Sequence, residues 1–228
     1  MGNKKVLRKL VLTAILLAIA VVFDIISSQI PGLNLSMPFG GKFFGISMIP
    51  LILIGLTCGL EFGLIAGFLF GVYNFSFDYM IYLSALRDTL ETWTGTSWNS
   101  YQILLLVLFD YVLPFMAFGL SGLFKKQFSK FSSVVKSIIL VSIIRLISST
   151  LSGVVLWSSS IDYALSEVEN GNADPNLATR IFSFVDGNIW LYSLSYNITY
   201  ILTTGIVVYL ILMLTHKRIY AIAEQNIL

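Results

Sequence analysis

The chain has 228 residues, of which 57% are hydrophobic and 11% are charged, and its formal net charge is +2. Soluble domains carry about 25% charged residues, so this chain cannot cover itself with a hydrated surface. The same composition excludes an intrinsically disordered chain, a nucleic-acid-binding domain and a disulfide-rich secreted fold. The sequence therefore predicts an integral membrane protein.

Six apolar segments predict membrane-spanning helices, because a span needs roughly 20 mostly apolar residues. In chain order the segments are 6–28, 44–57, 60–77, 101–124, 134–158 and 188–215. The second and third are short and adjacent, which indicates a tight helical hairpin. Five spans are the alternative if 44–77 contains a re-entrant element. We expect an all-α protein with six transmembrane helices and a single membrane domain over residues 1–228.

Lysine and arginine residues predict the orientation, since cytoplasmic loops are rich in them. Ten of the fourteen lie before or at the start of the first segment, around the connection between the fourth and fifth, or after the sixth: Lys4, Lys5, Arg8, Lys9, Lys125, Lys126, Lys130, Lys136, Lys217 and Arg218. We therefore expect both termini in the cytoplasm. The connections 32–43, 78–100 and 159–187 are then long loops on the outer side.

Two series of small residues recur every four positions, a spacing that lets helix backbones approach closely. The first segment contains Ala14 and Ala18, and a series at Gly59, Gly63, Gly67 and Gly71 begins just before the third segment and continues through it. The glycine series favours packing inside the protein. For the alanine pair, internal packing and contact with a partner protein are both open.

Three segments place a polar side chain at one depth in the membrane. Asp110, Ser149 and Asn197 each lie nine residues from the predicted outer end of their helix, or roughly 13 Å at 1.5 Å per residue. Aromatic residues lie above this layer or close to it: Trp98, Tyr101, Trp157, Trp190, Tyr192 and Tyr196. The pattern predicts a pocket that opens to the outside, with polar groups on its floor and aromatic walls.

Asp110 is the most informative of these residues, because ionisable groups at membrane depth are costly and mark functional sites. A carboxylate below aromatic rings suits a cationic aromatic ligand that carries an amino group. The alternative is an internal ion pair with Arg145 on the neighbouring helix. Asp24, near the outer end of the first segment, is interpreted as a structural or interfacial acid.

The sequence contains no catalytic or metal-binding set. His216 is the single histidine, and its neighbours Lys217 and Arg218 predict a helix end that faces water, too far from Asp110 to form a dyad. An HExxH motif, a Ser/His pair and a GxxxxGK[ST] phosphate loop are all absent. We therefore expect no enzyme, cofactor or metal, and ATP-driven transport would need another subunit for hydrolysis.

The stretch LFDYVLPFMAFGLSGLF at 108–124 resembles the fourth helix of the thiamine-specific S components of energy-coupling factor (ECF) transporters. Arg145 followed by Gly153 and Trp157 is similar to the fifth helix of that family. YSLSYN at 192–197 is similar to its sixth helix. The similarity extends over nearly the whole chain.

The resemblance implies a six-helix vitamin-binding subunit in the bacterial plasma membrane. Such a subunit binds thiamine from outside and works with a transmembrane coupling subunit and two cytoplasmic ATPases. The pair Ala14 and Ala18 resembles the motif that docks on the coupling subunit.

The resemblance also implies roles for individual residues. Asp110 matches the acid that contacts the aminopyrimidine, and Trp157 matches the ring that stacks on the ligand. Tyr192 and Asn197 match the ligands of the sixth helix. The predicted substrate site is completed by Ser149, Tyr101, Tyr111 and Tyr196.

Four features depart from the family pattern. Asp110 is one methylene shorter than the usual glutamate, and Ser149 stands at the position of a pocket histidine. The first outer loop has no tryptophan to act as a lid, so Phe39 and Phe43 are the nearest substitutes. The 78–100 connection is longer than in the family. These departures leave a different vitamin, or a thiamine-related pyrimidine, as the alternative ligand.

Overall fold

The computed structural model describes residues 2–79 and 85–226. In this part of the chain the protein is all-helical, and an isolated antiparallel bridge joins Ser36 and Lys42. The nine helices in the described residues are α1 (Gly2–Gln29), α2 (Met48–Cys58), α3 (Leu60–Tyr79), α4 (Leu86–Thr94), α5 (Ser100–Gln127), α6 (Phe131–Val155), α7 (Ser158–Glu169), α8 (Leu177–Phe184) and α9 (Ile189–Asn226). The predicted all-α class is confirmed.

Among the described residues, five helices are long and apolar enough to cross a membrane. They comprise Lys4–Gln29, Leu60–Tyr79, Ser100–Gln127, Phe131–Val155 and Ile189–Gln225. The apolar helix α2 has only 11 residues, or roughly 16 Å, about half of a bilayer core of ~30 Å. The structure thus has five long apolar helices and one short one where the sequence predicted six spans.

Helix α2 forms the centre of the bundle. All of its residues are buried, and α1, α3 and α5 pack around it. A helix that is hydrophobic on every side belongs in such an interior. Gly59 alone separates α2 from α3, with φ at +108°, so the predicted tight hairpin is found.

The glycine series lies against α5. A Cβ atom built on Gly63 would lie 2.7 Å from the Cα atom of Gly119, and one on Gly71 would lie 2.9 Å from the carbonyl oxygen of Tyr111. Gly67 packs on α5 in the same way. These positions exclude any side chain, so the predicted internal packing is confirmed for the three of them.

Helix α5 changes its winding along its length. It is α-helical over Ser100–Leu106, π-helical over Val107–Val112, α-helical over Leu113–Met116 and 3₁₀-helical over Ala117–Gln127. Pro114 accounts for the wide turn, because proline has no N–H to donate to the carbonyl four residues earlier, at Asp110. Ser148 of α6 donates to the neighbouring carbonyl of Phe109 at 2.7 Å. Asp110 therefore lies in the middle of an irregular segment, a feature frequent at functional sites.

Two of the three connections predicted as long loops contain helices, so the prediction was wrong for these two. Connection 78–100, of which residues 80–84 lie outside the described part, contains α4, and connection 159–187 contains α7 and α8, whereas 32–43 has no helix. Side-chain caps begin two of the helices. Asn99 forms a capping box with Gln102 at the start of α5, and Asn176 accepts hydrogen bonds from two backbone N–H groups at the start of α8. Helices α4 and α8 are short and amphipathic, so long apolar runs do not reveal them.

The last helix extends well beyond the predicted end at residue 215, to Asn226. The prediction that His216 faces water was wrong. Its side chain is 6% exposed, and its Nε2 atom lies 2.7 Å from the carbonyl oxygen of Phe128. The chain that follows α5 passes beside α9, and the rings of Phe128 and Phe131 enclose the imidazole.

Candidate functional site

A cavity of about 1080 Å³ opens at the end of the bundle where α4, α7 and the 30–47 connection lie. Ligand pockets usually measure about 300–1,000 Å³. The cavity brings together seven of the eight predicted substrate residues, namely Asp110, Tyr111, Ser149, Trp157, Tyr192, Tyr196 and Asn197. Tyr101 is 66% exposed and lies outside the lining.

Asp110 and Trp157 form the central contact of the cavity wall. The indole Nε1 atom donates to the Oδ2 atom of Asp110 at 2.9 Å. Trp98 lies behind Trp157 with ring centroids 5.7 Å apart, and its own Nε1 donates to Thr94 at 2.8 Å. Helix α4, which the sequence did not reveal, thus braces the indole ring. The result is a fixed carboxylate beside an aromatic ring, which suits a cationic ligand with N–H donors.

The alternative ion pair between Asp110 and Arg145 is not found. The guanidinium of Arg145 lies over the ring of Phe118, 5.1 Å from its centroid, and Nη1 lies 3.8 Å from the sulfur of Met48. Its Nε atom has no partner. No carboxylate in residues 2–79 and 85–226 lies within ion-pair distance of it. The negative charge of Asp110 is therefore not neutralised by this arginine.

Asn197 connects α9 to α6. Its Nδ2 atom donates to the carbonyls of Ser193 at 2.8 Å and Ser149 at 3.2 Å. Its Oδ1 atom accepts the hydroxyl of Tyr200 at 2.8 Å, which leaves a second lone pair on that oxygen for a ligand. Tyr192 is buried one turn before Tyr196, with ring centroids 5.7 Å apart. One face of α9 thus carries the polar and aromatic residues that the sequence predicted.

The 30–47 connection covers the cavity and is held by α9. The hydroxyl of Tyr196 accepts the backbone N–H of Phe39 at 2.7 Å and donates to the carbonyl of Gly40 at 3.1 Å. The ring of Phe39 stacks on Tyr196 with centroids 6.3 Å apart and lines the cavity. Phe43, the other predicted lid residue, is not in the lining and packs in the aromatic cluster with Tyr192.

A second attachment of this connection lies on α1. Lys42 forms an ion pair with Asp24 at 2.8 Å and donates to Ser28 at 2.9 Å. Both charged residues line the cavity. Asp24 is therefore a paired structural acid, as the sequence indicated.

Sequence reasoning missed Asp78. Its Oδ2 atom accepts the hydroxyl of Tyr111 at 2.9 Å, and the carboxylate lines the cavity. The signal that could have found it is helical spacing, because Gly71, Asn74 and Asp78 follow one another at the intervals of a single helix face. Its place at the end of an apolar run made it look like the first residue of a loop.

Comparison with known proteins now decides the family. The family described as "Thiamine transporter protein (Thia_YuaJ)" matches residues 10–92 and 89–167, which is more than half of the chain. The chain belongs to this family. It is a thiamine-transporter-family membrane protein and has a transport role rather than an enzymatic one.

The relatives of this thiamine transporter family member include one curated protein of similar length. Thiamine transporter ThiT of Bacillus subtilis (strain 168) is 29% identical over 224 residues, which cover 94% of this chain and 93% of that protein. No solved structure matches the chain. The resemblance that the sequence indicated is confirmed at the level of the family.

Proposed function

We propose that the protein is the substrate-binding subunit of an ECF-type thiamine uptake transporter and that thiamine binds in the cavity from outside the cell. The observation that carries the proposal is the Asp110 carboxylate held by the indole of Trp157 in the cavity wall. Thiamine joins a cationic ring to an aminopyrimidine. The carboxylate accepts the amino N–H groups, and the indole face stabilises the cation.

The remaining contacts follow from the cavity lining. Tyr192, Tyr196 and Asn197 supply aromatic and polar groups from α9, while Tyr111 and Ser149 supply hydroxyls from α5 and α6. Tyr101 is left out of the proposed site, since it lies outside the lining.

The proposed topology has six helices, with α2 as the short one and both termini in the cytoplasm. The basic residues support this orientation. Lys125 donates to the carbonyl of Cys58 at 3.2 Å, and the carbonyl of Lys9 lies 3.6 Å from the Cys58 sulfur. The basic ends of α1 and α5 therefore lie together, at the end of α2 that is opposite the cavity. The positive-inside rule then places the cavity on the outer side.

Titration of thiamine against the detergent-purified full chain, followed by tryptophan fluorescence, tests the proposed site. Asp110→Asn removes a charged hydrogen bond worth about 1.5–3 kcal/mol, so the dissociation constant should rise about ten- to a hundredfold. Trp157→Ala should abolish most of the signal and weaken binding by about 1–2 kcal/mol. The matched controls are Asp162→Asn and Trp190→Ala, both exposed and outside the cavity. Control effects as large as those of the site variants would reject the site.

The proposed partners are a transmembrane coupling subunit and two cytoplasmic ATPases. Ala14 and Ala18 are both exposed on α1, which supports a docking role over internal packing. Exposed small residues one turn apart let a partner helix approach closely.

Ala14→Trp tests this docking role. Thiamine uptake by cells should be lost, because the bulky ring blocks close approach, while binding by the isolated subunit stays normal. Ile143→Trp on the exposed face of α6 is the control. A parallel loss of binding in the Ala14 variant, or an equal loss of uptake in the control, would reject docking through this pair.

A further inference from the structure

The proposed function does not use the arginine that lines the cavity. Arg145 lines the cavity on α6, and an arginine side chain is always protonated in proteins. Its neighbours are the ring of Phe118 and the sulfur of Met48. Tyr200 and Thr204 of α9 line the same cavity. None of these groups carries a negative charge at neutral pH.

A cation in this position is expensive. Ionisable groups within a membrane span pair with each other or lie on a ligand pathway, and breaking a buried pair strands a costly charge. A ring and a thioether are weak partners for a guanidinium, and the Nε atom has none. The guanidinium is therefore short of hydrogen-bond acceptors, which an anion would supply.

Ser149 adds a second donor to the same region. It follows Arg145 by four residues on α6, so both side chains project on one face of the helix, and both line the cavity. A guanidinium together with a hydroxyl is a typical donor set for phosphate oxygens.

The position of Arg145 separates it from the acidic part of the cavity. It lies ten residues before the end of α6 at Val155, and Trp157 follows that end. Arg145 lies one helical turn below Ser149, which the residue count puts at the depth of Asp110. The guanidinium and the Asp110 carboxylate thus mark neighbouring levels of the cavity, roughly 6 Å apart along the helix axis. The volume of about 1080 Å³ lies at the top of the usual range for ligand pockets, which leaves room for a ligand that reaches both levels.

We propose that Arg145 and Ser149 form an oxyanion subsite, which binds a phosphate group while the cationic part of the ligand lies at Asp110 and Trp157. The phosphate is either an ester on the ligand or a free phosphate ion bound beside it. The identity of the cationic ligand rests on the proposed function, whereas the anion subsite does not.

The experiment compares thiamine with thiamine monophosphate, titrated in phosphate-free buffer against the detergent-purified full chain. The variants are Arg145→Met, Arg145→Lys and Ser149→Ala, with the exposed Arg180→Met as the matched control. In parallel, the melting temperature of each protein is measured with increasing inorganic phosphate. If Arg145→Met does not fold, the lysine and alanine variants carry the test, because lysine keeps the charge but loses the planar fork.

If the phosphate is an ester on the ligand, Arg145→Met weakens the binding of thiamine monophosphate at least roughly tenfold more than the binding of thiamine. Arg145→Lys and Ser149→Ala then show smaller losses of affinity in the same direction. For a free ion, inorganic phosphate raises the melting temperature of the wild type and of Arg180→Met but not of Arg145→Met. Equal effects on both ligands, without a phosphate-dependent stabilisation, overturn the subsite. Failure of the wild type to bind thiamine rejects the proposed function instead, and the phosphate measurement then still decides the subsite.

Discussion

The two ends of the helix bundle are built in different ways. At one end, α2 is buried along its whole length, and the glycines of α3 touch the backbone of α5. At the other end, residues of α5, α6 and α9 line the cavity, and a connection without a regular helix covers it. Apolar contacts hold the first end, whereas hydrogen bonds and one ion pair from Lys42 hold the cover of the second.

The difference shows how a small bundle can keep polar groups inside a membrane. Close packing gains dispersion energy at every contact, and a void forfeits it. The cavity is therefore a cost, which the packed end offsets. We expect substitutions at the packed end to change stability and substitutions at the open end to change ligand binding and release.

The largest expected effect is a loss of stability from a substitution at the packed end. Gly67→Ala would place a Cβ atom 2.9 Å from the Cα atom of Met116, against backbone that cannot move aside easily. Overpacking of this kind costs about 1–3 kcal/mol, so the melting temperature in detergent should fall clearly. Gly205→Ala is the control, because its Cβ atom would lie 3.6 Å from the nearest atom, the hydroxyl oxygen of Ser142. Equal melting temperatures for the two variants would contradict the close packing of α3 on α5.

The next effect concerns the cover of the cavity. Tyr196→Phe keeps the ring but removes both hydrogen bonds to the 30–47 connection, each worth about 0.5–1.5 kcal/mol. Bound thiamine should then dissociate roughly tenfold faster, with little change in melting temperature. Stopped-flow fluorescence measures the rate. Tyr209→Phe, at an exposed position of α9 outside the cavity, should leave the rate unchanged. An unchanged rate in Tyr196→Phe would show that this hydroxyl does not hold the cover.

A smaller effect is expected at the attachment to α1. Lys42→Met breaks the partly exposed ion pair with Asp24, and such pairs contribute about 0–1 kcal/mol. Thiamine release should therefore accelerate less than in Tyr196→Phe. The same stopped-flow measurement checks it, with the exposed Lys217→Met as the control. A Lys42→Met effect larger than that of Tyr196→Phe would make the ion pair the principal attachment.

The smallest expected effect is on the stability of Asp110→Asn. No ion pair with Arg145 is lost, and asparagine keeps an acceptor for the indole N–H of Trp157, so the melting temperature should stay close to that of the wild type. The double variant with Arg145→Gln should not be more stable than Asp110→Asn alone. A strong loss of stability that the double variant restores would mean that the two charges pair in the membrane.

Much of the site was predictable because it follows from position along a helix. Asp110, Ser149 and Asn197 were predicted to lie at one depth on three helices, and all three line one cavity. Tyr101 was included as an aromatic residue above this layer, yet it is exposed and lies outside the lining. The depth of a residue follows from its distance along the helix, whereas the direction in which its side chain points depends on how the helix is wound. The π-helical turn around Asp110 alters that winding locally.

The partners of charged residues were less predictable. The sequence offered Arg145 as the partner of Asp110 by proximity, but the packing of α5 on α6 turns the guanidinium towards Phe118. His216 looked exposed beside two basic residues, yet the segment around Phe128 buries it. In both cases the residue that contacts the side chain, Phe118 or Phe128, is distant in sequence. The local composition therefore does not predict the contact.

The sequence by itself determined that this protein resides in a membrane, which segments are apolar, the expected orientation and the acid and aromatic residues of the candidate site. Membrane insertion and orientation depend on the local composition of each segment, which can be read from the sequence without a structure. Only the tertiary structure decided that α2 is a short central helix, that α4 braces Trp157, and that Arg145 lines the cavity without an ion-pair partner among the described residues. These features depend on how helices pack side by side, and packing is a property of surfaces brought together by folding rather than of any one segment.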